Sequence, residues 1–229
     1  MIRAVLFDVG GPLDLEIAFE AAIDADIRDG LEREGFVVDD ASWEAAHRYA
    51  VDTFAPSLYR ALIWRLTAGD RTASERIYEW MEARSHGRDL FELRPGIGAV
   101  LEALQQRNLK LGLAANQPAA VIERLERHGI GSYFEGQGIS GIYGYRKPDV
   151  RLFLRVCEDL GVDPGDCIMV GDRIDNDVVP AKLLGMYTVL LRTGRHAAQQ
   201  PRSWDEVPDY EVRDAAGILT AIESILKTS

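Results

Sequence analysis

The stretch Val5–Leu13, VLFDVGGPL, decides the fold of this chain. Its apolar residues end at a single carboxylate, Asp8, and two glycines and a proline follow within four residues. A short apolar run bounded by glycine and proline is typical of a buried strand that ends in a turn. We therefore predict a strand over Ile2–Phe7 that presents Asp8 at its carboxyl end.

Beyond about Arg94, strand and helix patterns alternate along the chain. The apolar runs LKLGLAAN (109–116), CIMVGD (167–172) and YTVLLRTG (187–194) are separated by segments with helical periodicity. This βα alternation implies a parallel sheet with helices on both faces, and ligands of such sheets lie beyond the carboxyl ends of the strands. Asp8, Asn116 and Asp172 each follow a predicted strand, so we expect them to converge in space.

The segment between these two parts, residues 14–93, has apolar residues at helical spacing and no strand pattern. We predict a helical bundle with its own small core, in which Trp43, Trp64 and Trp80 pack. The predicted fold is therefore α/β: a doubly wound, Rossmann-like parallel-sheet core over residues 1–13 and 94–229, with an inserted α-helical domain over 14–93.

Composition limits the possible functions. The chain has 229 residues, 28% of them charged, with a formal net charge of −11. Such a surface repels nucleic-acid phosphates and anionic lipid, and no segment approaches the ~20 apolar residues of a membrane span. We predict no nucleic-acid or membrane partner. Two cysteines, Cys157 and Cys167, exclude a disulfide scaffold and favour reduced, buried thiols in a cytoplasmic protein.

Acidic residues cluster in VGDRIDNDVVPAK, where Asp172 and Asp177 offer the hard oxygen ligands that Mg²⁺ prefers. A solvated acidic helix start is the alternative. A calcium-binding EF-hand loop fails, because Ile174 and Leu183 occupy positions that need acids.

Two further stretches carry possible chemistry. Lys147, in YRKPD, is the cation that we place at the site, although a surface lysine is the common alternative. GQGISG (136–141) matches a dinucleotide-binding fingerprint, but it does not join a first strand to a helix, so we predict a loop there with no helix after it.

Four motifs in order, FDVGG, AAN, YRKPD and GDRIDND, resemble those of the haloacid dehalogenase-like hydrolases, a superfamily of mostly phosphatases. The helical insertion resembles that family's C1-type cap, which is expected to close over the site. The resemblance implies that Asp8 is a nucleophile that forms an aspartyl-phosphate, assisted by Lys147. It further implies a Mg²⁺ site and a phosphate site, with Asp8, Gly10 (through its carbonyl), Asp172 and Asp177 at the metal, and Gly11, Asn116 and Lys147 at the phosphate.

Three positions depart from the family pattern. Gly10 replaces a second aspartate that serves as general acid and base, Ala115 replaces a serine or threonine, and Pro12 replaces a threonine. A positioned acid or base is worth ~10²–10⁴ in rate. We therefore expect slow turnover of alkyl phosphates, and a smaller penalty for aryl and acyl phosphates.

Three functions remain open on these residues. The first is a Mg²⁺-dependent phosphomonoesterase of small phosphorylated metabolites, working as a monomer or homodimer. The second is a weak or silent protein that binds a phosphorylated ligand or partner. The third, a metal-free dehalogenase, is disfavoured because Asp172 and Asp177 are both retained. We favour the first.

Overall fold

The computed structural model describes residues 1–85 and 87–228. Six strands form the sheet: β1 (Ala4–Phe7), β2 (Lys110–Ala115), β3 (Gly136–Ile139), β4 (Cys167–Gly171), β5 (Tyr187–Leu191) and β6 (Tyr210–Val212). The α-helices are α1 (Ile17–Arg33), α2 (Asp40–Asp52), α3 (Leu58–Leu66), α4 (Arg71–Ser85), α5 (Ile97–Gln106), α6 (Val121–Arg127), α7 (Ser140–Tyr143), α8 (Val150–Leu160), α9 (Val179–Leu183) and α10 (Ala215–Thr228). Among the described residues, no helix is both long and apolar enough to cross a membrane.

All strand pairs in the sheet are parallel, in the order β3-β2-β1-β4-β5-β6. The strand order reverses around β1, which pairs with β2 on one side and β4 on the other. This is the doubly wound arrangement, and the predicted fold class is confirmed. The point of reversal is where such sheets bind ligands, and it is where Asp8 follows β1.

Both faces of the sheet are buried, which explains the unbroken apolar strands. Ala4 and Leu6 of β1 pack with Phe153 and Val156 of α8, and the alternating residues point to the opposite face. The same core contains both cysteines, which are free and buried.

The prediction for GQGISG is wrong: Gly136–Ile139 form strand β3, and α7 follows it directly. The reason is close packing by α8. A Cβ at Gly138 would lie 2.2 Å from Cγ2 of Val156, so only glycine lets the helix approach. Glycine has low strand propensity, and the pattern therefore concealed the strand. Gly136 and Gly138 lie within the strand itself, and Gly141 lies in α7.

The chain divides into two compact units, residues 1–15 with 92–229, and residues 16–91. The second unit contains α1–α4 around a core that includes Ile27, Trp43 and Ile77. Packing was predicted for all three tryptophans. It holds for Trp43, whereas Trp64 is about half exposed, with its ring against Gly69.

The chain leaves the first unit and returns to it along two paired segments. The amide of Leu15 donates to the carbonyl of Glu92 (2.9 Å), and the amide of Arg94 donates to the carbonyl of Leu13 (2.8 Å). Asp14 and Leu93 form an antiparallel bridge between these two hydrogen bonds. The exit and return points are therefore neighbours in space.

Candidate active site

The carboxyl ends of β1 and β4 bring three aspartates together. Asp8 directly follows β1, Asp172 directly follows β4, and Asp177 lies five residues beyond Asp172. One carboxylate oxygen from each lies within 4.8 Å of the others, and within the described ranges no fourth His, Cys, Asp or Glu joins this group. Asp172 and Asp177 are buried, and Asp8 is partly exposed.

The ammonium of Lys147 lies between two of these aspartates. Its Nζ is 2.7 Å from Oδ2 of Asp8 and 2.6 Å from Oδ1 of Asp177, and the residue is 4% exposed. Burial alone would lower the pKa of Lys147, but the charges of Asp177 and Asp8 hold that pKa above its ordinary value. The lysine therefore stays charged across the neutral range.

For Asp8, the candidate nucleophile, the effect of burial on the pKa outweighs that of the neighbouring charges. Burial raises the pKa of the Asp8 carboxyl to about 6; Lys147 opposes the rise, and the neighbouring charge of Asp177 adds to it. The amide of Val9 donates to Oδ1 of Asp8 at 2.7 Å, which fixes the carboxylate at the strand end. Asp8 is ionised at neutral pH but close to its titration range.

The backbone after β4 is held by Asp177. Oδ2 of Asp177 accepts hydrogen bonds from the amides of Asp172 (3.2 Å) and Arg173 (3.0 Å), while its Oδ1 pairs with Lys147. The structure has a π-helical turn over Ile174–Val178, which α9 then follows. The wider turn lets Asp177 fold back onto the strand end, so both of its oxygens serve protein donors.

Asn116 follows β2 and contacts the backbone of Lys147. Its Nδ2 donates to the carbonyl of Lys147 (3.0 Å), and its Oδ1 accepts from the amide of Lys147 (2.8 Å). Both polar atoms of the side chain are thus used to fix the lysine. The structure places Asn116 as a support for Lys147, and any contact between Asn116 and phosphate stays a prediction.

The turn after Asp8 packs against Asp172. Gly11 has φ of +79°, a conformation that favours glycine, and a Cβ there would lie 2.8 Å from Cβ of Asp172. Arg94, which is 7% exposed, donates from Nε to the carbonyl of Gly11 (2.6 Å) and from Nη2 to Oγ1 of Thr193 (2.9 Å). Arg94 therefore ties the turn to the segment after β5.

Gly10 brings no side chain to this turn. The next acid along the chain after Gly10 is Asp14, which is buried and accepts the amide of Glu92 on its Oδ1 at 2.9 Å. That carboxylate therefore supports the exit segment of the chain.

The acidic group fits a hard divalent cation. Three carboxylates lie within 4.8 Å of one another, and the ammonium of Lys147 contacts two of them. The pKa of Asp8 is raised chiefly by burial, and the charge of Asp177 adds to the rise. A divalent cation would offset the repulsion between these carboxylates, and carboxylate oxygen is the ligand type that Mg²⁺ and Ca²⁺ take.

Two residues at or near the site were missed in the sequence. Arg94 was noted only as the boundary of the helical segment, and Gln199 carried no signal because it belongs to no motif. Gln199 is 1% exposed, and its side chain contacts the π-helical turn that bears Asp177.

The chain belongs to the haloacid dehalogenase-like hydrolases, whose family model matches residues 2–185. The resemblance inferred from the four motifs is thereby confirmed. A glyceraldehyde 3-phosphate phosphatase from Methanopyrus kandleri is 30% identical over an alignment of 241 positions, which covers 99% of this chain and 100% of that protein.

Solved structures of two proteins share the fold over nearly their whole length. A HAD phosphatase from Thermococcus onnurineus has a TM-score of 0.62 at 24% identity, covering 98% of each chain. A 2-haloacid dehalogenase from Pseudomonas syringae pv. Tomato has the same TM-score at 22% identity, covering 98% of this chain and 100% of that one. Since both match equally, the fold alone does not separate the two reactions.

Proposed function

We propose that the chain is a Mg²⁺-dependent phosphomonoesterase of small phosphorylated metabolites, with Asp8 as the nucleophile. The observation that carries this proposal is the position of Lys147, whose ammonium touches Asp8 and Asp177 at the edge of the three-carboxylate group. The phosphatase name of the Methanopyrus relative supports the same reaction class.

The reaction needs two displacements at phosphorus. The Asp8 carboxylate attacks phosphorus, the bond from phosphorus to the leaving oxygen breaks, and an aspartyl-phosphate forms. Water then attacks that phosphorus, which releases inorganic phosphate and restores Asp8. Lys147 would offset the charge of the phosphoryl group, and Asn116 keeps the lysine in place.

Asp172 and Asp8 would hold Mg²⁺, together with the carbonyl of Gly10 and with Asp177 directly or through water. When bound, the ion supplies positive charge that lowers the repulsion between the anionic nucleophile and the anionic phosphate. A metal-free dehalogenase has no use for this acidic group, so the cluster favours the phosphatase.

The leaving group receives no proton from position 10 in this proposal. Gly10 has no carboxyl, and Asp14 is engaged with the amide of Glu92. The departing oxygen must therefore take its proton from water. Acyl and aryl phosphates, whose leaving groups are weak bases, should be hydrolysed faster than alkyl phosphates.

The experiment measures phosphate released from an aryl phosphate and from acetyl phosphate, with and without Mg²⁺, by the wild type and by Asp8→Asn. Release that needs both Mg²⁺ and Asp8 supports the proposal. Release by Asp8→Asn at the wild-type rate would eliminate Asp8 as the nucleophile.

A second candidate function is binding without turnover. It is favoured by Gly10 and by Ala115, which is buried and offers no hydroxyl at the end of β2. This candidate predicts that the protein binds Mg²⁺ and beryllofluoride but releases no phosphate from either substrate.

A further inference from the structure

Gln199 lies in the segment after β5 and is 1% exposed, which is unusual for a glutamine. Its side chain makes two hydrogen bonds to the same turn. Oε1 accepts from the amide of Ile174 (2.7 Å), and Nε2 donates to Oδ1 of Asp175 (3.0 Å). A buried amide that uses both its acceptor and a donor is costly to remove, because the partners would lose their hydrogen bonds.

The backbone of Gln199 is itself anchored. Its amide donates to the carbonyl of His196 (2.9 Å), and its carbonyl accepts a hydrogen bond from Nη1 of Arg192. Arg192 directly follows β5. Gln199 therefore links the end of β5, through Arg192, to the turn that its side chain contacts.

That turn bears Asp177 and begins two residues after Asp172. Ile174 and Asp175 lie between Asp172 and Asp177, and Oδ2 of Asp177 accepts the amides of Asp172 and Arg173. Gln199 binds the same turn at Ile174 and Asp175.

Asp175 is held in place by two side chains within this arrangement. Arg173 donates to both Asp175 oxygens, at 3.2 and 2.5 Å, and Nε2 of Gln199 donates to Oδ1. The carboxylate is therefore fixed where it accepts the Gln199 amide.

We propose that Gln199 is a positioning residue that fixes the turn between Asp172 and Asp177 and so sets the affinity of the site for Mg²⁺. This inference rests on the metal site in the proposed function, but not on turnover. Residues that orient metal ligands typically contribute 10–100-fold in metal affinity.

The test compares Mg²⁺ binding by calorimetry in the wild type and in Gln199→Met, which keeps the length of the side chain and removes both hydrogen bonds. We expect the dissociation constant for Mg²⁺ to rise about 10–100-fold. The matched control is Gln200→Met, because Gln200 is exposed and its Nε2 donates to the carbonyl of Ala198, which lies outside the π-helical turn. That variant should bind Mg²⁺ as the wild type does.

A reciprocal pair separates positioning from general support of the fold. Gln199→Glu keeps the acceptor for Ile174 but places a second carboxylate against Asp175, and should weaken Mg²⁺ binding. Adding Asp175→Asn to Gln199→Glu restores a donor and an acceptor, with the carboxylate now at position 199 and the amide at position 175. The double variant should bind Mg²⁺ more tightly than Gln199→Glu alone, although the charge pair with Arg173 is lost.

The outcomes are distinct. A folded Gln199→Met whose Mg²⁺ affinity is within twofold of wild type overturns the inference, and so does a wild type that binds no Mg²⁺ at millimolar concentration. If Gln199→Met does not fold, Gln199→Glu decides by the same twofold limit. If Mg²⁺ affinity falls as expected while no variant, nor the wild type, releases phosphate, the positioning role stands and the phosphatase proposal fails.

Discussion

Gly171, the last residue of β4, leaves no room for a side chain beside Asp177. A Cβ at Gly171 would lie 2.2 Å from Cγ and 2.3 Å from Oδ2 of Asp177. Ordinary carbon contacts begin near ~3.5 Å, so Gly171→Ala would push the carboxylate back by about 1 Å or more. That shift would break the hydrogen bonds from Asp177 to the strand-end amides and strain its pair with Lys147.

The loss in free energy of unfolding caused by Gly171→Ala has a lower and an upper bound. Overpacking a filled site typically costs about 1–3 kcal/mol, and complete separation of a buried ion pair costs about 3–5 kcal/mol. We therefore expect Gly171→Ala to lower the free energy of unfolding by between ~1 and ~5 kcal/mol. The dissociation constant for Mg²⁺ should rise about tenfold or more, because a residue of the proposed metal site has moved.

The assay is urea unfolding followed by circular dichroism, with Mg²⁺ binding measured by calorimetry. Gly165→Ala is the matched control, since Gly165 lies just before the same strand and a Cβ there meets nothing within 4 Å. Both variants share the effect of alanine on the unfolded chain, so their difference isolates the contact with Asp177. Equal stability and equal Mg²⁺ affinity in the two variants would refute the packing argument.

Four further predictions test the same site. Lys147→Met should lower kcat/KM for an aryl phosphate by about 10²-fold or more, since the buried cation that contacts Asp8 is removed; a loss below threefold in steady-state assays would contradict its role. Because the pKa of Asp8 is about 6 without metal, protons should compete with Mg²⁺. Mg²⁺ affinity should therefore fall as pH drops below that value, and the acid limb of kcat/KM should move to lower pH as Mg²⁺ is raised. Gly11→Ala, at φ +79° and against Asp172, should cost about 1–2 kcal/mol in urea unfolding and weaken Mg²⁺ binding. Gly10→Asp should increase hydrolysis of an alkyl phosphate more than that of an aryl phosphate, by up to ~10²; equal effects on both would argue against the missing acid.

Much of the fold follows from local patterns. β1, β2, β4 and β5 are apolar runs of four to six residues bounded by turns, and burial on both faces of a parallel sheet demands that pattern. Strand β3 was not predicted, because its glycines, which let α8 pack closely, have low strand propensity.

The residues of the candidate site likewise fall into those that the sequence could predict and those that it could not. Asp8, Asn116, Lys147 and Asp172 could be selected because each stands in a motif at the end of a predicted strand or loop. Gln199 could not, since its partner Ile174 is 25 residues away and only the folded sheet brings the two together. The hydrogen bonds from Asn116 to the backbone of Lys147 could not be predicted either, because a side chain bonded to a distant backbone gives no pattern in the sequence.

The pairing of Leu13–Leu15 with Glu92–Arg94 bears on how such a chain could have been assembled. The backbone hydrogen bonds at these two segments are complete without any residue between 16 and 91. A short reverse turn could join Leu15 to Glu92 and leave the strands that carry Asp8 and Asp172 connected as before. The intervening helices are therefore a module that evolution or an engineer could replace while the segments that carry Asp8 and Asp172 stay connected as before.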